Sequence, residues 1–302
     1  MKLISFYHAA RLGFGVILDS GDVFDLDRAL AELRGRDCAG DLRLLLAGGQ
    51  SALAEAMDLL AGQGRASAFL KRSASLRVLA PIPRPGKILA VGLNYRDHCE
   101  EQGKTPPERP MFFAKVASSV IAHGEVIRID EKVTRQVDHE VELGVVIGRG
   151  GRSIPAEWAL EHVAGYTIVN DVSARDLQKA DRQWTRAKGL DTFCPMGPWL
   201  VTSDEIDDPH RLAVRCLVNG EERQRSNTRH LVHGIPQLIA AASAAMTLEP
   251  GDVISTGTPG GVGVYRQPPV FLKPGDIVTC EIEGIGELTN PVGAWSDAEE
   301  RQ

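Results

Sequence analysis

The sequence contains no CxxC pair, and its five cysteines are scattered along the chain. This spacing excludes a disulfide framework and a zinc-ribbon site, and it predicts reduced thiols in a cytoplasmic protein. Cys99 and Cys194 lie near motifs discussed below, but neither has the local sequence of a thiol enzyme. The N-terminus lacks the apolar segment and cleavage site of a secretory signal, and no apolar run approaches the length of a membrane span. We therefore expect a cytoplasmic protein without a membrane anchor.

The sequence also lacks a basic cluster and the glycine patterns of nucleotide-binding proteins. Its 34 basic and 40 acidic residues give a net charge of −6, which argues against a nucleic-acid surface. No GxGxxG follows a strand and opens a helix, which argues against a dinucleotide-binding oxidoreductase. The glycine-rich segment 254–263 has no phosphate-loop lysine, so two interpretations stay open for it. Its amides and Thr258 bind a small carboxylate, or the segment is a plain turn.

The composition is that of an ordinary globular protein, and the chain is long enough to bury a large core. Short strand patterns and one helical pattern occur in residues 1–78, which we predict to form a small α+β domain. Three prolines and a glycine mark residues 79–87 as a linker. Residues 88–302 are rich in strand patterns with few helices. The predicted fold class is therefore α+β, mostly β, with the catalytic domain in the second segment.

The most informative segment is HEVELGVVIG, residues 139–148, which places two carboxylates in an apolar strand. Glu140 and Glu142 are two residues apart, so their side chains leave a strand on the same face. Val145 to Ile147 are typical of a strand buried on both faces. Two buried carboxylates would repel each other and lose their hydration, and a divalent cation between them removes both penalties. The alternative is an edge strand whose two glutamates face water.

A third acid follows another apolar run. Residues 163–170 are rich in β-branched side chains, and Asp171 comes directly after them, where the chain turns into a polar loop. Three carboxylates supply only oxygen donors, which suit Mg²⁺, Mn²⁺ or Ca²⁺ rather than zinc. They leave about half of an octahedral shell for water and substrate. This favours a catalytic metal site over a structural one.

Two further groups are candidates for chemistry. His98 and Glu101 are three residues apart, hence neighbours on one face of a helix, and a histidine held by a carboxylate can act as a general base. The alternative is an exposed helix of mixed charge. Lys188 lies in a loop-like segment, where it neutralises an enolate or carboxylate, or else is a solvated cation.

The order of these motifs resembles the fumarylacetoacetate hydrolase superfamily. The resemblance runs from about residue 85 to the C-terminus, and the first 75 residues are similar, less distinctively, to the small N-terminal domain of many bacterial members. It implies a mixed β-sandwich roll, usually in a homodimer. The segments that carry it are VGLNYRDHCEE, DHEVELGVVIG, GYTIVNDVSARDLQ, QWTRAKGLDTFCPMGPW, STGTPGGVG and LKPGDIVTCEIEGIGELTNPV.

The resemblance also implies roles for nine residues and a substrate that is a small 2-oxo acid. The family's metal is Mg²⁺ or Mn²⁺, its histidine–glutamate pair activates water, and its lysine lies in the active site. The matching positions are Glu140, Glu142 and Asp171 for the metal, His98, Glu101 and Lys188 for catalysis, and Arg175, Gln178 and Thr258 for contacts with the substrate.

The expected reaction is hydrolysis of a C–C bond in a 2,4-dioxo acid, such as fumarylpyruvate or acetylpyruvate, to give pyruvate and a carboxylic acid. Oxaloacetate decarboxylation and isomerisation of 2-hydroxyhepta-2,4-diene-1,7-dioate share its enolate intermediate and remain alternatives. The pair of His98 and Glu101 favours hydrolysis. A metal-binding protein without turnover is a further alternative, which the complete set of motif residues disfavours.

Overall fold

The computed structural model describes residues 1–62 and 67–296, and strands dominate it. The strands are β1 (Lys2–His8), β2 (Arg11–Ile17), β3 (Val23–Phe24), β4 (Leu70–Lys71), β5 (Arg77–Leu79), β6 (Ile88–Gly92), β7 (Met111–Lys115), β8 (Val120–Ile121), β9 (Ile127–Ile129), β10 (Val137–Asp138), β11 (Val141–Ile147), β12 (Val163–Asn170), β13 (Ser173–Ala174), β14 (Cys194–Thr202), β15 (Ala213–Val218), β16 (Glu221–Asn227), β17 (Val253–Ser255), β18 (Ile277–Ile282) and β19 (Gly286–Ala294). The α-helices are α1 (Leu26–Arg34), α2 (Leu42–Leu46), α3 (Gly49–Ala61), α4 (Arg96–Glu101), α5 (Arg175–Ala180), α6 (Thr185–Lys188) and α7 (Ile235–Ala245).

Two mixed sheets form the body of the fold. A 12-stranded sheet runs in the order β4-β3-β2-β1-β14-β12-β11-β17-β6-β7, with β5 paired to β1 and β8 to β14. A five-stranded sheet has the order β16-β15-β18-β19-β9. Side chains from β11 and β12 share one apolar core with side chains from β15, β18 and β19. The sandwich of strands with a few helices confirms the predicted α+β, mostly β, fold class.

Strand β11 is covered on both faces, which explains why its sequence is apolar without alternation. Val145 packs into the core between the two sheets, whereas Val146 packs into a second core with residues of α1, α2 and α3. Successive side chains of a strand point to opposite faces, so a strand covered on both faces needs apolar residues at every position. The strand lies between β12 and β17, so the edge-strand alternative for Glu140 and Glu142 is wrong.

The N-terminal segment continues the large sheet. Strand β1 pairs with β14, with Leu3 opposite Leu200, and residues 80–87 carry no strand before β6 begins. The helices α1 to α3 cover the face of the sheet that lies away from the five-stranded sheet. The domain boundary at residues 79–87 stays a prediction. Along the described ranges, 1–62 and 67–296, no helix is both long and apolar enough to cross a bilayer.

Local turn chemistry follows the sequence. Asn219 and Gly220 both have positive φ, 53° and 77°, and join β15 to β16 as the two-residue turn expected of Asn-Gly. Gly251 and Gly275 follow prolines and have φ of 83° and 97°, as a type II turn requires. The two proline-glycine turns lead into β17 and β18.

Candidate active site

Three carboxylates meet where the loops around β11 and β12 come together. Glu140 precedes β11, Glu142 lies within it, and Asp171 directly follows β12. The Asp171 amide donates to the Glu140 carbonyl at 2.8 Å. One carboxylate oxygen from each residue lies within 4.8 Å of the other two, and all three residues are buried. The antiparallel register of β11 and β12 therefore gathers the three acids that the sequence predicts as metal ligands.

The charges of this cluster are unevenly balanced. Burial raises the pKa of Glu142, and the negative charges of Asp171 and Glu140 raise it further. Burial acts in the same direction on Glu140, but the positive charges of Lys188 and Arg175 outweigh it, so the pKa of Glu140 lies well below its ordinary value. Glu142 accepts hydrogen bonds from the Ser255 hydroxyl and the Gly257 amide, at 2.6 and 2.9 Å, and within the described part of the chain it forms no ion pair.

Two buried lysines form ion pairs with Glu140 and Asp171. Lys188, at the end of α6, places Nζ 2.6 Å from Glu140 Oε2 and 2.7 Å from Asp171 Oδ2. Burial alone would lower the pKa of Lys188, but the two carboxylates raise it, so the amine stays protonated. Lys115, at the end of β7, pairs with Asp171 Oδ1 at 2.6 Å and donates to the Lys188 carbonyl. Lys188 is thus a buried member of the site and not a solvated cation.

Arg175 and Gln178 lie side by side on α5. The Arg175 guanidinium contacts Glu140 Oε1 at 2.6 Å and Asp138 Oδ2 at 2.9 Å, and it donates to Gln178 Oε1 at 2.9 Å. Asp138 also accepts from the Gly263 amide at 2.7 Å. The arginine predicted to contact substrate is therefore held by ion pairs with two acids of the protein and by a hydrogen bond to Gln178.

The predicted proton-transfer pair is present on α4. His98 Nδ1 lies 3.1 Å from Glu101 Oε2, and the His98 side chain is 8% exposed. The Gly261 amide donates to Glu101 Oε1 at 2.9 Å, so the carboxylate is held on both oxygens. A histidine whose Nδ1–H is held in this way presents Nε2 as a base. The exposed-helix alternative does not describe this buried histidine.

The glycine-rich segment is used within the protein. The Gly257 amide donates to Glu142, and the Thr258 hydroxyl donates to the Val141 carbonyl at 3.0 Å. Gly257 has φ of 101°, and a Cβ there would lie 2.8 Å from Asn94 Cβ, so glycine is required. The segment therefore positions the triad, and Thr258 reaches the pocket with its hydroxyl already engaged.

One cavity of about 500 Å³ joins these groups. Glu101 and Asp171 do not line it, but each contacts a residue that does. The predicted site residues in its wall are His98, Glu140, Glu142, Arg175, Gln178, Lys188 and Thr258.

Sequence reasoning missed several residues of the site. Lys115 pairs with Asp171, while Gln102, Lys104 and Tyr265 lie in the pocket wall. Gln102 directly follows Glu101 and Lys104 comes two residues later, so their closeness to the His98–Glu101 pair in the sequence was a usable signal. The sequence gives no such signal for Lys115 and Tyr265, because neither lies in a motif of catalytic or metal-binding residues.

The residues present suit a divalent cation. The donor set is all carboxylate oxygen, which hard cations prefer. Burial and the negative charges of Asp171 and Glu140 raise the pKa of Glu142 more than the Ser255 hydroxyl and the Lys188 ammonium lower it, and a bound cation would supply further compensation. The arrangement also places the site at the wall of an open pocket, where a substrate can reach it.

The cysteines take no part in this site. All five are free and buried. Burial raises the pKa of the Cys99 thiol, and it raises that of Cys194 to about 12. The thiolate is the reactive form of cysteine, so neither residue has the character of a nucleophile.

Comparison with known proteins agrees with this geometry. The family model described as fumarylacetoacetate (FAA) hydrolase C-terminal matches residues 87–293, more than half of the chain. The mitochondrial oxaloacetate tautomerase fahd2 of Xenopus laevis is 46% identical over 298 residues, covering 97% of this chain and 90% of the relative. The oxaloacetate tautomerase YisK of Bacillus subtilis is 43% identical over 291 residues, covering 94% of this chain and 97% of the relative.

A solved structure extends the comparison to the fold. The maleylpyruvate hydrolase of Sphingobium sp. SYK-6, in complex with manganese(II) and pyruvate, is 31% identical. It superposes with a TM-score of 0.75, covering 98% of this chain and 100% of that chain. The resemblance therefore includes the N-terminal segment and is not confined to the motif-bearing residues.

Proposed function

This chain belongs to the fumarylacetoacetate hydrolase family, and on that premise we propose that it interconverts the enol and keto forms of oxaloacetate or a close 2-oxo dicarboxylate. The observation that carries this choice is the similarity, along nearly the whole chain, to proteins named oxaloacetate tautomerases. The hydrolysis of acylpyruvates expected from the sequence has less support than a reaction of oxaloacetate. For oxaloacetate, the alternative named from the sequence was decarboxylation, and tautomerisation was not expected. Both reactions use a 2-oxo acid, which the pocket suits.

The charge of the pocket supports a dicarboxylate substrate. Arg175 and Lys188 are bound to acids of the protein. Lys104 and Lys179 also line the pocket, and neither forms an ion pair with another residue in the described ranges. The second carboxylate of a dicarboxylate substrate would pair with these lysines, because the positive potential of two cations at the pocket favours the binding of an anion. A monocarboxylate would leave both lysines unused.

We further propose that Glu140, Glu142 and Asp171 hold Mg²⁺ or Mn²⁺, with Ca²⁺ as an alternative. Support comes from the buried oxygen-donor set and from the manganese(II) in the related maleylpyruvate hydrolase. When bound, such an ion acts as a Lewis acid that stabilises negative charge on the oxygens of a 2-oxo acid.

The protein's own groups account for the proton movement. His98 Nε2 takes the proton of the enol hydroxyl, which leaves an enolate and an imidazolium paired with Glu101. The imidazolium then gives a proton to C3, which yields the keto form and restores neutral His98. One proton leaves oxygen and one arrives at carbon, so the reaction is balanced and needs no co-substrate. The Lys188 ammonium keeps the surroundings of the enolate oxygen positive.

The same enolate can arise by loss of CO₂ from oxaloacetate, and attack of water on a distal carbonyl would give hydrolysis instead. Neither needs a different set of side chains, which is why the geometry does not separate them. The decisive experiment compares the three reactions with one protein preparation in Mg²⁺ and in Mn²⁺. Enol loss by ultraviolet absorbance, keto formation with a keto-specific dehydrogenase, CO₂ release, and pyruvate from acetylpyruvate and fumarylpyruvate are recorded together.

We expect metal-dependent acceleration of enol-to-keto conversion well above the rates of CO₂ and pyruvate release. Fast pyruvate formation from an acylpyruvate, with tautomerisation at the uncatalysed rate, would replace this proposal by the hydrolase. Fast CO₂ release from oxaloacetate would replace it by the decarboxylase. The homodimer and the cytoplasmic location remain predictions, for which size-exclusion chromatography with light scattering and cell fractionation are the tests.

A further inference from the structure

Gln102 links the catalytic histidine to a tyrosine from a distant loop. Its side-chain nitrogen lies 2.7 Å from His98 Nε2, and its side-chain oxygen accepts from the Tyr265 hydroxyl at 3.0 Å. The rings of His98 and Tyr265 stand edge to face, with centroids 6.1 Å apart. The nitrogen that we assign to proton transfer is therefore already occupied by a protein amide.

The contact between the imidazole and Glu101 determines which ring nitrogen carries a proton. An ionised carboxylate such as Glu101 only accepts hydrogen bonds, so His98 Nδ1 must carry a hydrogen. When His98 is neutral, Nε2 is then a lone pair, and the Gln102 amide donates to it. When His98 is protonated, Nε2–H becomes a donor and the same amide hydrogens would oppose it.

We propose that Gln102 and Tyr265 form a two-position relay that satisfies His98 in both of its protonation states. A 180° rotation of the Gln102 amide exchanges the positions of its nitrogen and its oxygen, and the two groups are similar in size. In the second position, imidazolium Nε2–H donates to the Gln102 oxygen, and the Gln102 NH₂ donates to the Tyr265 oxygen. No covalent bond changes, and Tyr265 switches from donor to acceptor. The inference rests on the proposed function, in which His98 gains and returns a proton in each cycle. The substrate replaces the Gln102 amide at Nε2 during each transfer, and the Gln102 oxygen accepts from Nε2–H between the two transfers.

The side chains are suited to this task. Glutamine offers both a donor and an acceptor, whereas glutamate offers only acceptors and methionine offers neither of comparable strength. A hydroxyl can be donor or acceptor, so Tyr265 fits either amide position. Tyr265 is 42% exposed, which leaves it free to reorient.

The surroundings of His98 are held in place while the amide turns. On its own helix, Glu101 is anchored by the Gly261 amide, and Asp97 accepts from the Ser226 hydroxyl at 2.5 Å. The relay is therefore a local movement and not a movement of α4. The other titratable or charged groups that face the same pocket are Lys104, Glu140, Glu142, Arg175, Lys179 and Lys188.

The test is side-chain NMR of the Mg²⁺-loaded protein with ¹⁵N-labelled histidine and glutamine. We expect the neutral His98 ring to be protonated on Nδ1, and the Gln102 NH₂ resonances to move with the same midpoint as the ring. In Tyr265→Phe the ring should still titrate, but the Gln102 resonances should lose most of that movement. A Gln102 amide that stays unchanged while the ring titrates would overturn the relay.

Kinetics supply a second readout. Gln102→Glu should move the midpoint of the acidic limb of kcat upward by about one pH unit, because a carboxylate now favours the imidazolium. Gln102→Met should lower kcat about tenfold with little change in KM, as expected for one lost hydrogen bond. Gln50→Glu, an exposed position of the N-terminal segment, is the matched control for added charge. Equal pH profiles for Gln102→Glu, Gln50→Glu and the unmodified protein would also overturn the relay.

The two readouts separate the relay from the proposed function. Coupled titration of His98 and Gln102 in a protein that does not act on enol-oxaloacetate would contradict the tautomerase and leave the relay standing. Tautomerase activity in a protein whose Gln102 amide resonances do not change as His98 titrates would support the tautomerase and contradict the relay.

Discussion

Lys115 Nζ lies 2.6 Å from Asp171 Oδ1, and neither side chain has any exposed surface. The pair joins the end of β7 to the residue after β12, which are distant in the sequence. A carboxylate at this depth depends on compensating charge, because it has lost its hydration. Lys115 thus compensates the charge of one of the three proposed metal ligands and holds it in place.

Removal of this partner should destabilise the protein strongly. Lys115→Met leaves Asp171 buried with one cation fewer, and we expect the free energy of unfolding in urea to fall by about 3 kcal/mol. Arg77→Met is the control, since the Arg77–Glu125 pair is exposed and its loss should cost at most about 1 kcal/mol. Equal losses for the two variants would mean that the buried pair has no special role.

Metal should stabilise the protein through the triad. At a concentration 100 times Kd, an ion that binds only the folded state adds about 2.7 kcal/mol to the free energy of unfolding. Thermal unfolding in EDTA and in increasing Mn²⁺ should therefore show a rising Tm, and Glu142→Gln should remove most of the rise. Glu205→Gln, at an exposed position outside the triad, should retain it. A full rise in Glu142→Gln would exclude this residue as a ligand.

Loss of the proposed base should affect the chemical step. His98→Ala should lower kcat for enol-oxaloacetate by about 10²- to 10⁴-fold, the usual contribution of general acid–base catalysis. Mn²⁺ binding by calorimetry should be unchanged, because His98 is not one of the three acids. His8→Ala, on β1 and outside the pocket, is the control. Unchanged kcat in His98→Ala would assign proton transfer to another group.

The unpaired lysines should determine the preference for dicarboxylates. Lys104→Gln and Lys179→Gln should each raise KM for oxaloacetate about threefold to fivefold, as expected for exposed ion pairs. The inhibition constant of acetylpyruvate, which has a single carboxylate and competes for the same pocket, should not change. The effect should shrink as ionic strength rises, because salt screens exposed charges. A similar rise in KM for oxaloacetate and in the inhibition constant of acetylpyruvate would show that these lysines do not recognise a second carboxylate.

The native cysteines should resist alkylation. All five are buried, and burial raises the pKa of Cys194 to about 12, so the thiolate fraction at pH 8 is very small. Mass spectrometry after iodoacetamide treatment should show no modification of the folded protein and five modifications after unfolding in urea. Activity should survive the treatment. Rapid native labelling with loss of activity would instead indicate a reactive thiol in the mechanism.

Much of the site was predictable from local patterns. The two-residue periodicity of strands placed Glu140 and Glu142 together, and the apolar run that ends at Asn170 placed Asp171 at a strand end. The three-residue spacing of His98 and Glu101 predicted their contact on α4. These predictions succeeded because each depends on neighbours in the sequence and on the geometry of one element. The order of the motifs then identified the family.

The amino-acid sequence by itself determined which acids, which histidine and which turns this protein has, because strand alternation, helix spacing and glycine conformations are local properties. The tertiary structure alone decided which cations meet those acids. Lys115 reaches Asp171, and Tyr265 reaches Gln102, across 56 and 163 residues of sequence. Contacts at that separation follow from strand order and register, and no local pattern encodes them. Whether Arg175 and Lys188 face solvent or carboxylates was likewise settled only when β11 and β12 paired.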